Sequence, residues 1–190
     1  DSTIYPAMGD HDKIHIPVLD ESRGCRNGCA FCIHPVKSHR EQRLKSTAKL
    51  LAEVDRMRER FGSQTFRFAG SCTPYPLLNA FAKAVVDSGR KVAYSSFAHV
   101  RGSEEADFPL LRRSGCVALF FGIESGSQRV LDRMHKGIHP REIEAAIRAA
   151  REAGLAAIGS LIYPAPGDVS RQYAPSRQRS TQESSASRKE

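Results

Sequence analysis

Residues 116–126 read CVALFFGIESG, an apolar run that is nearly continuous up to its glycine and glutamate. Such a run is typical of a strand buried on both faces of a parallel sheet. Shorter apolar runs predict four more strands, at 16–22, 64–70, 91–98 and 155–164. Helical spacing of apolar residues predicts helices between them, at 46–62, 76–89, 104–115, 127–137 and 139–154. Ser46 is expected to cap the first of these helices, Gly89 to end the second, and Pro140 to stand at the first turn of the last.

This alternation of strands and helices predicts parallel βα units, in an α/β barrel or an open sheet. Only five strands are found, so we expect a partial barrel whose C-terminal strand is missing. We assign residues 1–15 to an extended lead-in, 16–168 to the α/β core and 169–190 to a tail. The tail is rich in serine and arginine and nearly free of apolar residues, so we expect it to be disordered. Because the chain begins at Asp1, we expect a fragment or a processed product.

The composition favours a cytoplasmic protein. Residues 1–15 are polar and lack the apolar segment of a signal peptide, and no apolar run approaches the length of a membrane span. The five cysteines are odd in number and unevenly spread, which does not resemble a secreted disulfide framework. The formal net charge is +8, but no basic stripe is interleaved with aromatic residues. A nucleic-acid partner is therefore not expected.

Three of the cysteines lie directly after the first predicted strand, in the segment ESRGCRNGCAFCIHP at 21–35. Their spacing is Cys25-x3-Cys29-x2-Cys32. In parallel βα folds the functional groups lie at the carboxyl ends of the strands. Gly70 and Ser71, Ser96 and Glu124 follow other strands in the same way. We expect Gly24 and Gly28 to let the cysteine loop turn tightly, because glycine tolerates positive φ.

The cysteine spacing alone leaves three interpretations open. Structural zinc sites usually combine two ligand pairs that are well separated in sequence, and here His34 is the only nearby candidate for a fourth ligand. A set of buried structural thiols is a second alternative. The third is an iron–sulfur cluster with three thiolate ligands, which leaves one iron free for a further ligand. Cys72 and Cys116 are expected to pack as small apolar residues.

The motif of Cys25, Cys29, Phe31 and Cys32 resembles the signature of the radical S-adenosylmethionine (radical SAM) superfamily. A second segment, FFGIESGSQRVLDRMHKG at 120–137, resembles the branch whose members often carry a cobalamin-binding domain, and less closely the tRNA methylthiotransferases. YPAPGD at 163–168 is similar to the turn after the fifth strand, although the family usually has Gly-hydrophobic-Pro-Gly-Glu. The resemblance covers about residues 14–168.

The resemblance implies a partial (β/α)6 barrel, a [4Fe-4S] cluster on the three cysteines, and S-adenosylmethionine on the free iron. One electron from the cluster would cleave the cofactor to a 5′-deoxyadenosyl radical. By position, the residues expected to bind the cofactor are Phe31 near the adenine, Gly70 and Ser71 at the amino group, and Glu124 at the ribose. Ser96, at the end of its strand, is also expected to bind the cofactor. Gly70 and Ser71 depart from the family's Gly-Gly-Glu. No residue is assigned a further catalytic role.

The function that the resemblance favours is methyl transfer to a carbon or phosphinate of a small molecule in specialised metabolism. Cobalamin would be bound by a domain that precedes Asp1. The expected partners are a small-molecule substrate and a reductant such as flavodoxin or ferredoxin, which basic residues around Lys37 and Arg43 would attract. RNA modification of the methylthiotransferase type, an inactive remnant and a structural zinc module remain alternatives.

Overall fold

The structure is a computed structural model that describes residues 16–164. Within these residues the strands are β1 Val18–Leu19, β2 Ser22–Gly24, β3 Gln42–Leu44, β4 Thr65–Phe68, β5 Ala93–Ala98, β6 Cys116–Glu124 and β7 Ala156–Leu161. The helices are α1 Ile33–Ser38, α2 Thr47–Phe61, α3 Tyr75–Asp87, α4 Phe108–Arg113, α5 Gln128–Arg133 and α6 Pro140–Glu152. The predicted tail at 169–190 and the lead-in at 1–15 lie outside the described residues. No described helix is long and apolar enough to cross a membrane.

Five strands form one parallel sheet in the order β1-β4-β5-β6-β7. This confirms the predicted α/β class and the five predicted strands. Among the described residues β1 and β7 are the two edges of the sheet and do not pair with each other, so the barrel is partial. All five strands point the same way, and their carboxyl ends therefore meet along one edge of the sheet.

The helices begin and end largely where the sequence places them. The Ser46 side chain accepts a hydrogen bond from the backbone N–H of Lys49 and caps α2. His139 caps α6, with Pro140 in its first turn. The helix predicted over 104–115 is shorter than expected: a 3-10 turn at Ser103–Glu105 precedes α4, and the Asp107 side chain caps α4 through the N–H of Leu110.

The sequence gives no sign of a small antiparallel hairpin formed by β2 and β3. Its strands read SRG and QRL, which show no apolar alternation. The hairpin encloses the cysteine loop and the short helix α1, so it frames the segment between the first two strands of the main sheet.

The core lies between the parallel sheet and α2, α3, α4 and α6. Phe68, Phe81 and Tyr94 pack with ring centroids 5.1 to 5.5 Å apart at its centre. The hydroxyl of Tyr94 forms a hydrogen bond with Ser114 Oγ at 2.8 Å. Burial of these rings makes the sheet a rigid platform for the loops at its carboxyl edge.

Candidate cofactor-binding site

A cavity of about 400 Å³ opens at the carboxyl edge of the sheet. All three cysteines of the motif contribute to its wall. The remaining predicted site residues in the wall are Phe31, Gly70, Ser71 and Glu124. The structure thus brings together seven of the eight residues predicted for cluster and cofactor, and only Ser96 is not among the lining residues.

The three thiols of the motif lie in one electrostatic neighbourhood. Cys25 and Cys29 are buried, Cys32 is half-buried, and none is in a disulfide. Burial raises the pKa of the Cys29 thiol. The cation of Lys136 opposes this rise, and the nearby thiols of Cys25 and Cys32 add to it. A group that converges on one wall in this way can present several thiolates to one polynuclear centre.

Contacts from other parts of the chain hold the loop that carries the cysteines. Gly24 has φ of +84°, as expected, and a Cβ there would overlap the backbone of Glu41. Gly28 does not have positive φ, which corrects the expectation for this residue. Its lack of a side chain instead leaves room for the guanidinium of Arg40, 3.2 Å from an ideal Cβ position. The backbone N–H of Ala30 donates to the carbonyl of Met134 and ties the loop to the end of α5.

A buried ion pair joins Glu124 to Lys136 across the cavity wall. Lys136 Nζ lies 3.0 Å from Glu124 Oε1, and the two residues are 6% and 7% exposed. Glu124 thus has the partner that a buried carboxylate needs. Lys136 Nζ also stands 5.7 Å from the centroid of the Phe31 ring, and Gly122 leaves the space that both charged groups occupy.

The segment after β4 is supported from behind by the carboxylate of Glu21. This fully buried side chain accepts hydrogen bonds from the Gly70 N–H at 2.9 Å and from the Thr73 hydroxyl at 2.7 Å. A Cβ at Gly70 would overlap the Glu21 carboxylate. Ser96 belongs to this support, because its hydroxyl donates to Thr73 Oγ1 at 2.7 Å. Ser71 lines the cavity beside Gly70.

The remaining two cysteines occupy different environments. Cys116 is fully buried in the core at the start of β6, and burial raises its pKa to about 12. This agrees with the expected packing role. Cys72 lines the cavity, and burial raises its pKa to about 12 as well, with a smaller contribution from the nearby Cys25. Cys116 is not among the residues that line the cavity, whereas Cys72 is.

The thiols of the motif do not form a single-ion site in the described part of the chain. Within residues 16–164, no three histidine, cysteine, aspartate or glutamate side chains lie close enough to hold one metal ion. The zinc alternative, with His34 as the fourth ligand, needs such a group. In a cubane each cysteine binds a different iron, so its three sulfurs stand farther apart than three sulfurs on one ion.

Three functional groups in this site carry no clear signal in the sequence. They are Lys136 in the turn after α5, His99 after β5 and Asn27 in the cysteine loop, and all three line the cavity. Lys136 and His99 are separated from the cysteines by more than sixty residues in sequence. His99 directly follows a predicted strand, where side chains reach the carboxyl edge of a parallel sheet, whereas Lys136 falls inside the helix predicted at 127–137.

Comparison with known proteins places this geometry in a family. Residues 22–172 match the Radical SAM superfamily. The chain is 26% identical over 160 residues to an uncharacterized methyltransferase of Pyrococcus horikoshii, covering 83% of this chain and 35% of that protein. It is 28% identical over 151 residues to a tRNA-2-methylthio-N(6)-dimethylallyladenosine synthase of Prosthecochloris aestuarii, covering 73% of this chain and 33% of that protein.

The fold is similar to that of a solved enzyme. The radical S-adenosylmethionine methyltransferase TsrM from Kitasatospora setae, in a structure with tryptophan substrate and the SAM analogue aza-SAM bound, superposes with a TM-score of 0.70. The sequences are 14% identical, and the match covers 83% of this chain and 32% of that one. The chain spans about a third of the length of the relatives that it matches.

Proposed function

The chain belongs to the radical SAM superfamily, and we propose that Cys25, Cys29 and Cys32 hold a [4Fe-4S] cluster beside a site for S-adenosylmethionine. The observation that carries this proposal is the convergence of the three thiols with Phe31 and Glu124 on one cavity at the carboxyl edge of the sheet. When bound, the cluster supplies the electron that cleaves the cofactor's C–S bond.

The chain's own residues would then bind and orient the cofactor. Phe31 offers a ring face at the mouth of the cavity, where it is 40% exposed and available to an adenine. Glu124 is fixed by Lys136 and offers its second carboxylate oxygen to hydroxyl groups. The loop at Gly70 and Ser71 leaves space for a ligand to approach the backbone closely, because Gly70 has no side chain.

We propose methyl transfer to a small molecule, at a carbon or a phosphinate, as the reaction class, with cobalamin bound by a further domain. The similarity to an uncharacterized methyltransferase supports this choice. Reduction by flavodoxin or ferredoxin is part of the same proposal. The similarity to a tRNA methylthio-modifying enzyme favours RNA modification as the second candidate.

Anaerobic reconstitution with iron and sulfide tests the cluster. We expect about four irons per chain and an electron paramagnetic resonance spectrum of the reduced protein that changes when S-adenosylmethionine is added. Cys25→Ala, Cys29→Ala and Cys32→Ala are each expected to lose the cluster. Cys116→Ala in the core and Cys72→Ala in the same cavity are matched controls that keep it. Full iron content in any of the first three variants, or one zinc and no cluster in the wild type, would overturn the assignment.

The reaction class is tested with the reconstituted protein and a chemical reductant. Formation of 5′-deoxyadenosine and methionine from S-adenosylmethionine is the expected result. A methylated small molecule, identified with S-adenosylmethionine labelled in its methyl group, would support the first candidate. Labelled tRNA would support the second candidate instead and reject the first.

A further inference from the structure

His99 leaves a polar atom unpaired at the wall of the cavity. Its Nε2 is buried and has no hydrogen-bond partner, and it is the only buried side-chain nitrogen or oxygen in that state among residues 16–164. Buried polar atoms are nearly always paired, so an exception calls for an explanation. Because His99 lines the cavity, a bound molecule can provide the missing partner.

The other ring nitrogen of His99 determines which kind of partner is needed. His99 Nδ1 accepts a hydrogen bond from the backbone N–H of Arg101 at 3.0 Å. A neutral imidazole carries one proton, and a nitrogen that accepts cannot carry it. Nε2 must therefore hold the proton and act as a donor. Burial, together with the cations of Lys136 and Arg101, lowers the pKa of His99 to about 4, so the ring is neutral at physiological pH.

The ring is also held beside the cysteine loop. The guanidinium of Arg101 donates to Asn27 Oδ1 at 2.7 Å. The amide of Asn27 in turn donates to Cys25 Sγ at 3.4 Å. The backbone that orients His99 is thus linked to a residue of the cysteine motif, and the direction of the Nε2–H bond is fixed before a ligand binds.

We propose that the Nε2–H of His99 donates a hydrogen bond to the carboxylate of S-adenosylmethionine in this cavity, an inference that rests on the proposed function. Lys136 and Arg101 produce a positive potential around His99. The sulfonium and ammonium groups of the cofactor are cations and are repelled from this position, whereas the carboxylate is its one anionic group. A neutral donor flanked by two cations therefore favours the anionic carboxylate over the neutral acceptors of the ribose and the adenine.

Equilibrium binding of labelled S-adenosylmethionine to the cluster-loaded chain tests the proposal. His99→Phe keeps a flat ring but removes the donor, and we expect roughly 10- to 100-fold weaker binding, as for the loss of a hydrogen bond to a charged group. His99→Gln keeps an N–H at a similar reach and is expected to retain most of the affinity. His139→Phe, the same type of change at the cap of α6, is the control and should leave the affinity unchanged.

The outcomes separate this inference from the proposed function. A wild type that binds S-adenosylmethionine, with His99→Phe binding equally well, overturns the inference alone. A wild type that assembles no cluster and binds no S-adenosylmethionine overturns the proposed function and the inference with it. Equal loss of affinity in His99→Phe and His99→Gln would show that ring shape matters rather than the donor, and would also reject the inference.

A second measurement needs no variant. Nitrogen-15 spectra of the histidine rings in the metal-free wild type report the tautomer and the charge of each ring. His99, one of the seven histidines in the chain, is expected to remain neutral at pH 5, with its proton on Nε2. If no ring stays neutral at pH 5, or if the neutral ring carries its proton on Nδ1, the proposed donor does not exist.

Discussion

Removal of Lys136 should destabilise the fold far more than removal of a surface lysine whose ion pair is even shorter. Lys136→Met leaves the Glu124 carboxylate buried without its partner 3.0 Å away. Breaking a buried pair in this way costs about 3 to 5 kcal/mol, because the remaining charge keeps its desolvation penalty and loses its attraction. We expect a loss of about 3 kcal/mol in the free energy of unfolding, the lower end of that range, since the pair borders a cavity.

Lys83 provides the matched control. Its Nζ lies 2.6 Å from Asp87 Oδ2, but the two side chains are 69% and 58% exposed. Lys83→Met should therefore cost at most about 0.5 kcal/mol. The assay is urea unfolding of the metal-free chain at neutral pH, followed by circular dichroism. Equal costs for the two lysine variants would refute the argument that burial, rather than distance, determines the contribution of an ion pair here.

A double-mutant cycle tests whether the cost of removing Lys136 comes from Glu124. Glu124→Leu added to Lys136→Met removes the unpaired carboxylate, so the double variant should be more stable than the sum of the single losses predicts. We expect a coupling of about 2 kcal/mol, within the range for contacting residues. Additive losses would show that Lys136 contributes through its packing on neighbouring groups such as Phe31.

Three further changes test other parts of the structure. Gly70→Ala should lower the free energy of unfolding by about 3 kcal/mol or prevent folding, because the new Cβ would overlap the Glu21 carboxylate. Gly126→Ala is the control and should be tolerated, since nothing lies within 4 Å of its Cβ position. Thermal unfolding of the two variants compares them. The hydrogen bond from Arg90 lowers the pKa of Asp55 from 3.8. The pair of Asp55 with Arg90 therefore stabilises the folded state above pH 3.8, by less than about 1 kcal/mol after solvent screening. This stabilisation is lost as the pH falls through the lower pKa of Asp55 in the folded state. Asp55→Asn should make the free energy of unfolding less dependent on pH in this range. Tyr94→Phe should cost about 1 kcal/mol in urea unfolding by leaving a buried serine hydroxyl with one partner fewer.

The longer elements follow from local sequence, because they are long enough to show their own apolar pattern. The nine residues of β6 are mostly apolar, as expected for a central strand, and the turns of α2 and α6 carry their own capping residues. Such signals are local and survive without knowledge of the tertiary structure. The hairpin of β2 and β3 has three residues in each strand and depends on contacts with the cysteine loop. Its strands are too short to show a pattern of apolar residues that would predict them.

The helix expected over 104–115 shows where a local pattern is overridden by backbone chemistry. Pro109 lacks an N–H and disfavours a helical conformation at the residue before it, so it stands in the first turn of α4 rather than inside a longer helix. Asp107 can then accept from the N–H of Leu110 and start the helix anew. The apolar spacing was read correctly, but the beginning of the helix was set by proline and its cap.

The cofactor site divides in the same way between what the sequence contains and what folding adds. The cysteine spacing identifies one wall of the cavity, because all three ligands are close in sequence. Lys136 follows α5 and His99 follows β5, and both line the same cavity. The residues next to Lys136 in sequence do not predict whether its side chain is buried or exposed to solvent. Ser96 was predicted from its place at a strand end, but its side chain lies behind the wall, and its role toward the cofactor stays a prediction.

The hydrogen-bond state of each polar group near the cavity distinguishes supporting residues from residues that meet a ligand. Glu21, Thr73 and Ser96 form a connected series in which each hydroxyl or carboxylate has a protein partner. They have no need of a ligand, and their burial fixes the loop at Gly70. His99 is different, because it is oriented by Arg101 and yet keeps an unpaired donor at the cavity. Leaving such a donor unpaired costs free energy, and a bound molecule that accepts its hydrogen bond would recover that cost.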